Sequence, residues 1–391
     1  MDDIVYLDNN ATTRPCDAAV AAMTPFLTEL YGNPSSVHRF GQRARQAIDE
    51  ARGHIAALVG CAESELLLTC GGTESISTAI RGILSARAPR KRIITSTVEH
   101  SATRELCQSL AKDGYEVVEL PVDSLGMLDP AHLASALTPD SAPDTAADIA
   151  LVTLLYANNE TGVIWPVETF AQLCRAAKVP LHLDGTQAVG KIPVNLAALG
   201  ADAMSLASHK FHGPKGAGGL FLRKGIRVKP LLVGGPQERG RRGGTENVPA
   251  IVGMGAAARE ALAQLPHTHL IARLRDELES FILHNIPHTS INGHPTLRLP
   301  NTTNISFSQL QAEAILLLLS EKNLCASAGA ACSSGSLEPS HVLRAMNIPP
   351  AIAHGAIRFS LSRYTTPQDI HRATAALPPL ISRLRQVLPL A

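Results

Sequence analysis

Residues 202–216 read DAMSLASHKFHGPKG, an apolar run that ends in Ser-His-Lys and continues into a glycine-rich turn. The apolar part, 202–207, is typical of a buried strand, so Lys210 is predicted to lie at the carboxyl end of that strand. Ligands bind at this end of the strands in open α/β sheets. A lysine there can react with carbonyl groups if burial or a neighbouring cation lowers its pKa. Lys215 follows a Gly-Pro turn and is predicted to point outward.

The regions on either side of this stretch indicate an α/β fold. From about residue 60 to residue 225, short apolar runs alternate with amphipathic stretches, which is typical of βαβ units and a mainly parallel sheet. The predicted strands are 65–69, 92–96, 115–120, 149–156, 180–184, 202–207 and 219–223, and the predicted helices between them are 74–86, 101–112, 130–137 and 167–177. After about residue 250, longer helices at 251–265 and 269–284 precede strands at 303–307 and 357–361, which indicates a second, smaller domain.

The composition excludes several classes of protein. Lys and Arg total 35 against 34 Asp and Glu, so a net charge of +1 gives no reason to expect nucleic acid or an anionic membrane as a partner. The seven cysteines are odd in number and form no CxxC pair, which argues against a disulfide framework or a zinc ribbon. The sequence shows neither a signal peptide nor an apolar run of the roughly 18 residues that a membrane helix needs. A cytoplasmic location is therefore expected.

Residues 66–75 read LLLTCGGTES, which leads from a predicted strand through two glycines into a predicted helix. Glycines let the backbone approach an anion, and the unpaired N–H groups at a helix N-terminus can bind a phosphate. The alternative is an ordinary capped turn, because Thr and Ser are good N-caps. The run is neither a Walker A motif nor GxGxxG, so nucleotide binding is not predicted.

Three further polar residues follow predicted strands. Asp184 ends the strand 180–184, where it either begins an Asp-Gly turn or holds the ring nitrogen of a pyridine cofactor protonated. His100 follows the strand 92–96, and Asn159 lies in the turn-forming run 157–162. The positions of His100 and Asn159 suggest a site, whereas their residue types alone do not.

The last candidates lie in the second half of the chain. Cys332 is surrounded by small residues that cannot fill a hydrophobic core, and because free structural cysteines are usually buried, a functional thiol is favoured. Arg358 is a single cation in an apolar run and can bind a substrate carboxylate or form a structural ion pair. His209 and His212 lack a third ligand nearby, so no resident metal is predicted.

These segments resemble the fold-type I, class V aminotransferase-like enzymes that use pyridoxal 5'-phosphate, and among them the cysteine desulfurases of the nitrogen-fixation type. The resemblance extends over essentially the whole chain. Its motifs are YLDNNATT at 6–13, GNPSS at 32–36, CGGTES at 70–75, Glu99-His100, NNETG at 158–162, Ser208-His209-Lys210, QERG at 237–240, GTEN at 244–247, Cys332 with LEPSH at 337–341, and RFSLSRY at 358–364.

The resemblance implies a mainly parallel seven-stranded sheet in a large cofactor-binding domain, 16–254, and a smaller α+β domain formed by 1–15 and 255–391 that carries the catalytic cysteine. The implied reaction converts L-cysteine to L-alanine and leaves a persulfide on Cys332, whose sulfur is donated for iron–sulfur cluster assembly, including nitrogenase maturation. The implied partners are an iron–sulfur scaffold or another sulfur acceptor and a second copy of the chain.

The family's site residues carry over to positions of this chain. The implied catalytic residues are Lys210, His100 and Cys332. Lys210 is also implied to hold the cofactor covalently, and His100 to stack on the cofactor ring. Cys332 can also ligate an iron–sulfur cluster transiently. Substrate is implied to contact Asn159 and Arg358. The implied cofactor-binding residues are Gly72, Thr73, His100, Asn159, Asp184, Gln187, Ser208, His209, Lys210 and, from the second subunit, Thr245.

The chain departs from the family pattern at Ala207, where many relatives have a phosphate-binding serine, so either Ser208 substitutes or the contact is missing. Ile76 also stands where a polar residue is common. Two alternative functions remain open from the sequence. One is a selenocysteine lyase or another β-eliminating enzyme of the same fold, and the other is a non-catalytic sulfur-relay or scaffold-binding protein.

Overall fold

The structure is a computed structural model that describes residues 4–138, 148–328 and 339–387. Cys332, which the sequence predicts to be catalytic, lies outside the described residues. Among the described helices, none combines the length and the apolar character that crossing a membrane requires.

The largest sheet has seven strands in the order β2-β8-β7-β6-β5-β3-β4. Its strands are β2 (Leu66–Thr69), β3 (Arg92–Ser96), β4 (Glu116–Leu120), β5 (Ile149–Leu155), β6 (Leu181–Asp184), β7 (Ala203–Ala207) and β8 (Gly218–Leu222). Only β8 runs antiparallel to its neighbours. The predicted mainly parallel sheet is therefore confirmed. The strands at its centre are buried on both faces, and this is why they appear in the sequence as continuous apolar runs.

Helices pack against this sheet and occur throughout the described chain. The described α-helices are Asp17–Thr28, Arg39–Val59, Gly72–Ala86, Ser101–Lys112, Pro130–Leu137, Val167–Ala176, Leu196–Leu199, Val248–Gln264, Thr268–Asn285, Ala312–Ser320, His341–Ala345, Pro350–Ala353 and Pro367–Val387. Short 3₁₀ turns occupy Glu63–Glu65, Ser208–Lys210, Gln237–Gly240 and Leu265–His267. Helix Arg39–Val59 packs closely on Val248–Gln264, because a Cβ at Gly255 would lie only 2.6 Å from the Cβ of Ala51.

A second group of elements forms a separate hydrophobic cluster. A three-stranded antiparallel sheet has the order β12-β10-β9, and a two-stranded parallel sheet pairs β1 with β11. These strands are β1 (Val5–Tyr6), β9 (Thr289–Ile291), β10 (Thr302–Phe307), β11 (Leu324–Cys325) and β12 (Ala356–Ser360). The cluster joins Val5 and Leu7 to buried residues between Leu278 and Ile381. The division of the chain at residues 15 and 254 remains a prediction.

The open edge of β2 is covered by a buried ion pair. Arg52 donates to Leu66 O at 2.9 Å, and the carboxylate of Glu238 accepts from Leu68 N at 3.0 Å. The two side chains also form a bidentate pair with N···O distances of 3.0 and 2.5 Å. Four hydrogen bonds therefore satisfy strand groups and charges that water does not reach.

We expect Glu238→Ala to lower the free energy of unfolding by about 3 kcal/mol, because it leaves Arg52 buried without a counter-ion. Urea unfolding at fixed protein concentration measures the loss. The matched control is Glu116→Ala, which removes the half-exposed partner of Arg92 on the opposite edge strand and is expected to cost about 0.5 kcal/mol or less. Equal losses in the two variants would contradict this assignment.

Candidate active site

A pocket of about 200 Å³ lies at the carboxyl ends of the parallel strands. It contains every residue that the sequence predicted to bind a cofactor except Ser208 and Thr245, together with Ile76, Ala102, Leu155, Ala157, Thr186 and Ala207. The predicted residues come from separate parts of the chain and meet because parallel strands bring their carboxyl ends to one edge of the sheet.

Lys210 lies in the 3₁₀ turn that follows β7, with its side chain partly buried. Its Nζ donates to the main-chain oxygens of Asn10 and Ala11 at 2.7 and 2.8 Å. Lys215, the competing lysine, is exposed and lies outside this pocket, at the edge of another. The geometry therefore agrees with the choice of Lys210.

Asp184 ends β6 and is buried, and its Oδ1 accepts from Thr186 N at 3.0 Å. Two residues earlier on the same strand, the fully buried His182 bridges to both neighbouring strands. Its Nδ1 lies 2.8 Å from Thr153 Oγ1 and its Nε2 lies 2.8 Å from Ser205 Oγ. Burial lowers the pKa of His182 to about 4, although the Asp184 carboxylate acts in the opposite direction. A neutral imidazole therefore braces the strand that carries Asp184.

His100 is the N-cap of helix Ser101–Lys112, and its Nδ1 accepts from Ala102 N at 3.1 Å. Burial lowers the pKa of this imidazole, so its neutral form is favoured. Because Nδ1 is occupied as an acceptor, the hydrogen of neutral His100 lies on Nε2. His100 is thus a hydrogen-bond donor toward the pocket and has no free lone pair with which to remove a proton.

One end of the pocket has the features of an anion site. Helix Gly72–Ala86 begins there, and Gly71 before it has φ = 157°, which residues with a side chain rarely adopt. A Cβ at Gly72 would lie 3.3 Å from Thr186 Oγ1, so glycine keeps this space open. Among the described residues, the buried Thr186 Oγ1 has no hydrogen-bond partner and is available to an anion. The phosphate of pyridoxal phosphate fits these groups.

Of two predicted phosphate-binding residues, His209 lines the pocket and Ser208 does not. His209 lines the pocket and its Nδ1 lies 3.2 Å from Thr12 Oγ1, while burial and the neighbouring Lys210 lower its pKa to about 4. The Ser208 hydroxyl is instead buried against Gly213, where an added Cβ would lie 2.0 Å from Ser208 Oγ. The sequence left open whether Ser208 replaces the hydroxyl missing at Ala207. Both hydroxyls lack a hydrogen-bond partner among the described residues, and the geometry favours Thr186 for that contact because its Oγ1 faces Gly72, whereas that of Ser208 faces Gly213.

Arg358 lies on β12 and is almost fully buried. Its Nη2 pairs with Asp8 Oδ1 at 2.7 Å, and its Nη1 donates to Asn159 O at 2.9 Å. The structural ion pair that the sequence left as an alternative is therefore present. The same contacts place the guanidinium directly behind Asn159, a residue of the pocket wall.

Both described flanks of the segment that contains Cys332 are attached near the pocket. On one side, Ser327 is bridged to Arg358 by two main-chain hydrogen bonds of 3.2 and 2.7 Å. On the other side, Ser340 Oγ donates to Glu160 Oε2 at 2.5 Å, and His341 Nε2 lies 2.9 Å from the main-chain oxygen of Glu99, next to His100. The chain therefore leaves and returns beside residues of the site.

Thr245, like Ser208, is a predicted cofactor-binding residue that does not line this pocket. It lines a separate, more polar pocket together with Cys70, Glu238 and Arg242. The family resemblance implies that its cofactor contact is made from a second subunit, and this stays a prediction.

Four buried polar residues at the site were not identified from the sequence: Asn10, Glu99, His182 and Lys191. Glu99 is completely buried, which raises its pKa to about 8. The alternation of His182 with Asp184 on one strand was a usable signal, because residues two apart share a face. The positions of Asn10 and Lys191 gave no such signal, since their partners are distant in sequence.

Comparison with known proteins identifies relatives over almost the whole chain. A family model described as aminotransferase class-V matches residues 5–373. The protein named cysteine desulfurase NifS of Azotobacter vinelandii is 51% identical over 387 residues, covering 98% of this chain and 94% of its own length. Cysteine desulfurase 2 of Trichormus variabilis is 50% identical, covering 99% and 95%. A solved structure titled NifS-like protein superimposes with a TM-score of 0.90 at 35% identity, covering 97% of this chain and all of that one.

His182 gives a testable pH dependence of stability. An unfolded histidine binds a proton below about pH 6.5, whereas folded His182 does so only below about pH 4. Between these values the unfolded state binds more protons, so stability falls as the pH falls, by about 3 kcal/mol across the window. We expect His182→Gln to reduce the slope of unfolding free energy against pH between 6.5 and 4, while His209, His212 and His341 maintain the rest of it.

The control is Thr153→Val, which removes a hydrogen-bond partner of His182 but retains the titrating ring. It is expected to lower stability by about 1 kcal/mol without changing the slope. Urea unfolding at several pH values measures both effects. An unchanged slope in His182→Gln would show that this imidazole is not the source of the pH dependence.

Proposed function

Because this chain belongs to the aminotransferase class-V family, we propose that it is a pyridoxal phosphate-dependent cysteine desulfurase that converts L-cysteine to L-alanine and holds the sulfur as a persulfide on Cys332. One observation carries the proposal. Lys210, Asp184 and His100 share a pocket, and both described flanks of the segment containing Cys332 are attached beside it.

The pocket residues divide into groups that fit the parts of the cofactor. Asp184 would pair with the ring nitrogen, His100 would lie against the ring, and Lys210 would hold the aldehyde carbon covalently. Gly72, Thr73, Thr186 and His209 would hold the phosphate. Bound pyridoxal phosphate would supply an electron sink for the negative charge that develops at the substrate Cα.

The residues of the chain perform the binding and proton transfers. Arg358 would bind the substrate carboxylate, with Asp8 fixing one side of the guanidinium. The amine of Lys210, once substrate has displaced it, would remove the Cα proton. Nε2–H of His100 would hydrogen-bond to the sulfur of the substrate or of the attacking thiolate, since Nδ1 is engaged by Ala102. This arrangement makes Lys210 the base and His100 a donor.

Sulfur transfer would be a displacement at the sulfur of L-cysteine. The thiolate of Cys332 attacks that sulfur, a new S–S bond forms and the substrate C–S bond breaks. The electron pair of the broken bond remains on the substrate Cβ, which takes the proton that the Cys332 thiol lost, and Lys210 returns its proton to Cα to give L-alanine. A cysteine with an ordinary pKa of about 8.5 is mostly protonated at neutral pH, so the site must favour its thiolate.

The proposed function requires a protein that accepts the sulfur. The proposed acceptor of the persulfide sulfur is an iron–sulfur scaffold or another acceptor protein in the cytoplasm, with nitrogenase maturation as one use that the NifS-named relative supports.

We also propose a homodimer in which Thr245 completes the partner's phosphate site. Two observations support this dimer. Thr245 lies outside its own chain's cofactor pocket, and the apolar side chains of Leu232 and Val233, on the same stretch of chain, are exposed and available for an interface.

The first test is release of sulfide and alanine from L-cysteine in the presence of a thiol reductant. We expect Lys210→Ala to lose at least a thousandfold in turnover because it loses the base and the cofactor bond. Cys332→Ala should also be inactive, yet retain the yellow colour of bound cofactor near 400 nm. The matched controls Lys215→Ala and Cys325→Ala should stay within about twofold of wild type.

Three outcomes would redirect the assignment. Full activity in Cys332→Ala would exclude a persulfide on that residue and favour a direct lyase. Turnover of selenocysteine but not of cysteine by the wild-type protein would identify a selenocysteine lyase. A colourless wild-type protein that cannot be loaded with pyridoxal phosphate would favour a non-catalytic sulfur-relay protein.

The dimer is tested by complementation between two inactive variants, Lys210→Ala and Thr245→Arg. If Thr245 acts across the interface, a mixed dimer contains one site with both native residues. Co-expression should then restore about a quarter of wild-type activity, since half of the dimers are mixed and each has one intact site. No recovery, although mixed dimers are isolated with two different tags, would place Thr245 in its own chain's site or outside catalysis.

A further inference from the structure

Lys191 is a buried lysine for which the proposed reaction has no use. It is 8% exposed and lies between the cofactor pocket and a second pocket lined by Lys210, Asn301 and Arg363. Its Nζ donates to Asn10 Oδ1 at 2.8 Å and to Gln187 Oε1. Within the described ranges 4–138, 148–328 and 339–387, no carboxylate forms an ion pair with it. A buried amine without a counter-ion is costly, so its two contacts require an explanation.

Other hydrogen bonds fix the orientation of Asn10 independently of Lys191. The Nδ2 of Asn10 donates to Thr302 Oγ1 at 2.9 Å, and its Oδ1 accepts from Asn301 Nδ2 at 3.1 Å. The oxygen of the Asn10 side chain must therefore face Lys191. The main-chain oxygen of Asn10 accepts from Gln187 Nε2 at 3.0 Å and from Lys210 Nζ at 2.7 Å.

The same network determines the orientation of the Gln187 amide. A lysine amine offers hydrogens, so the oxygen of the amide turns toward Lys191 and the NH₂ group turns toward Asn10. Asn10 O occupies one hydrogen of Nε2, which leaves the second hydrogen for another acceptor. Gln187 lines the cofactor pocket, so that acceptor can be a ligand oxygen.

We propose that Lys191 is a positioning residue that holds Gln187 with its Nε2–H, rather than its carbonyl oxygen, available to an acceptor oxygen on the cofactor ring. The inference rests on the proposed use of pyridoxal phosphate. Without Lys191, the amide oxygen would lose its buried donor and the amide would be free to rotate or flip. A carbonyl oxygen facing the ring oxygen would repel it instead of donating to it.

The electrostatic surroundings of Lys191 agree with this role. Burial, followed by the positive charges of Lys210 and Arg358, lowers its pKa well below the ordinary value. A neutral amine still has two hydrogens, which matches the two oxygens that it contacts. Lys191 can therefore satisfy both amides without adding a full charge beside Lys210.

A double-mutant cycle on the cofactor-loaded protein tests the proposal. The measured quantity is the pH midpoint of the visible absorption band near 400 nm, which reports hydrogen bonding to the ring oxygen and does not require turnover. A lost donor makes the negative ring oxygen less favourable, so we expect Gln187→Leu to raise the midpoint by about 0.5 to 1 unit. Lys191→Met should raise it by a similar amount, and the double variant should raise it no further.

Rescue and control variants separate positioning from charge and from folding. Lys191→Arg retains donors for both oxygens but brings a permanent positive charge, so its midpoint is expected at or below the wild-type value. Lys215→Met removes an exposed lysine from the same region of sequence and should leave the midpoint unchanged. If Lys191→Met does not fold, Lys191→Gln takes its place in the cycle with the same expected shift, because its shorter side chain falls short of Gln187.

Additive shifts in the double variant would show that Lys191 acts separately from Gln187, by its charge, and would overturn the proposal. An unchanged midpoint in Lys191→Met would overturn it as well. These outcomes are distinct from failure of the proposed function. A yellow protein without desulfurase activity still permits the cycle, whereas a protein that binds no pyridoxal phosphate contradicts the proposed function itself.

Discussion

The arrangement of the site depends on the hydrogen bonds that the N-terminal segment makes to both hydrophobic clusters. Its main-chain oxygen at Asn10 accepts from Lys210 and Gln187, and Asp8 pairs with Arg358 on β12. The segment then continues to Thr13, whose amide donates to His209 O at 2.9 Å. The groups that would bind the cofactor and those that would bind the substrate carboxylate are thereby held by one short stretch of chain.

Burial sets the charge state of the groups around the pocket. It lowers the pKa values of His182, His209 and His341 to about 4, so these imidazoles act as neutral donors and acceptors. It raises the pKa of Glu99, the neighbour of His100 in the chain, to about 8, which favours an uncharged carboxyl there. As a result, only a few groups around the pocket carry a charge, and those groups have identified partners. Such a surrounding favours chemistry in which negative charge moves between substrate and cofactor.

The sequence predicted most of the fold and the site because both depend on local patterns. Each strand of the large sheet lies within one residue of its predicted bounds, since continuous apolar runs are typical of strands buried on both faces. Lys210, Asp184 and His100 were identified because each lies at or shortly after the carboxyl end of a strand. Arg358 was identified as a single cation in an apolar run, and the family resemblance extended the set to Gln187, which lies in a segment with no informative periodicity of its own.

The amino-acid sequence by itself determined the α/β class, the candidate lysine and the positions of the strands. These features depend on the spacing of apolar residues and on which residues follow an apolar run, and both can be read from a short stretch of sequence. Only the tertiary structure decided that the Thr186 hydroxyl faces Gly72, whereas the sequence had offered only Ser208 in place of the hydroxyl missing at Ala207. It also decided that Lys191 contacts Asn10 across 181 positions of the chain. Such contacts depend on packing between distant segments, and no local pattern encodes them.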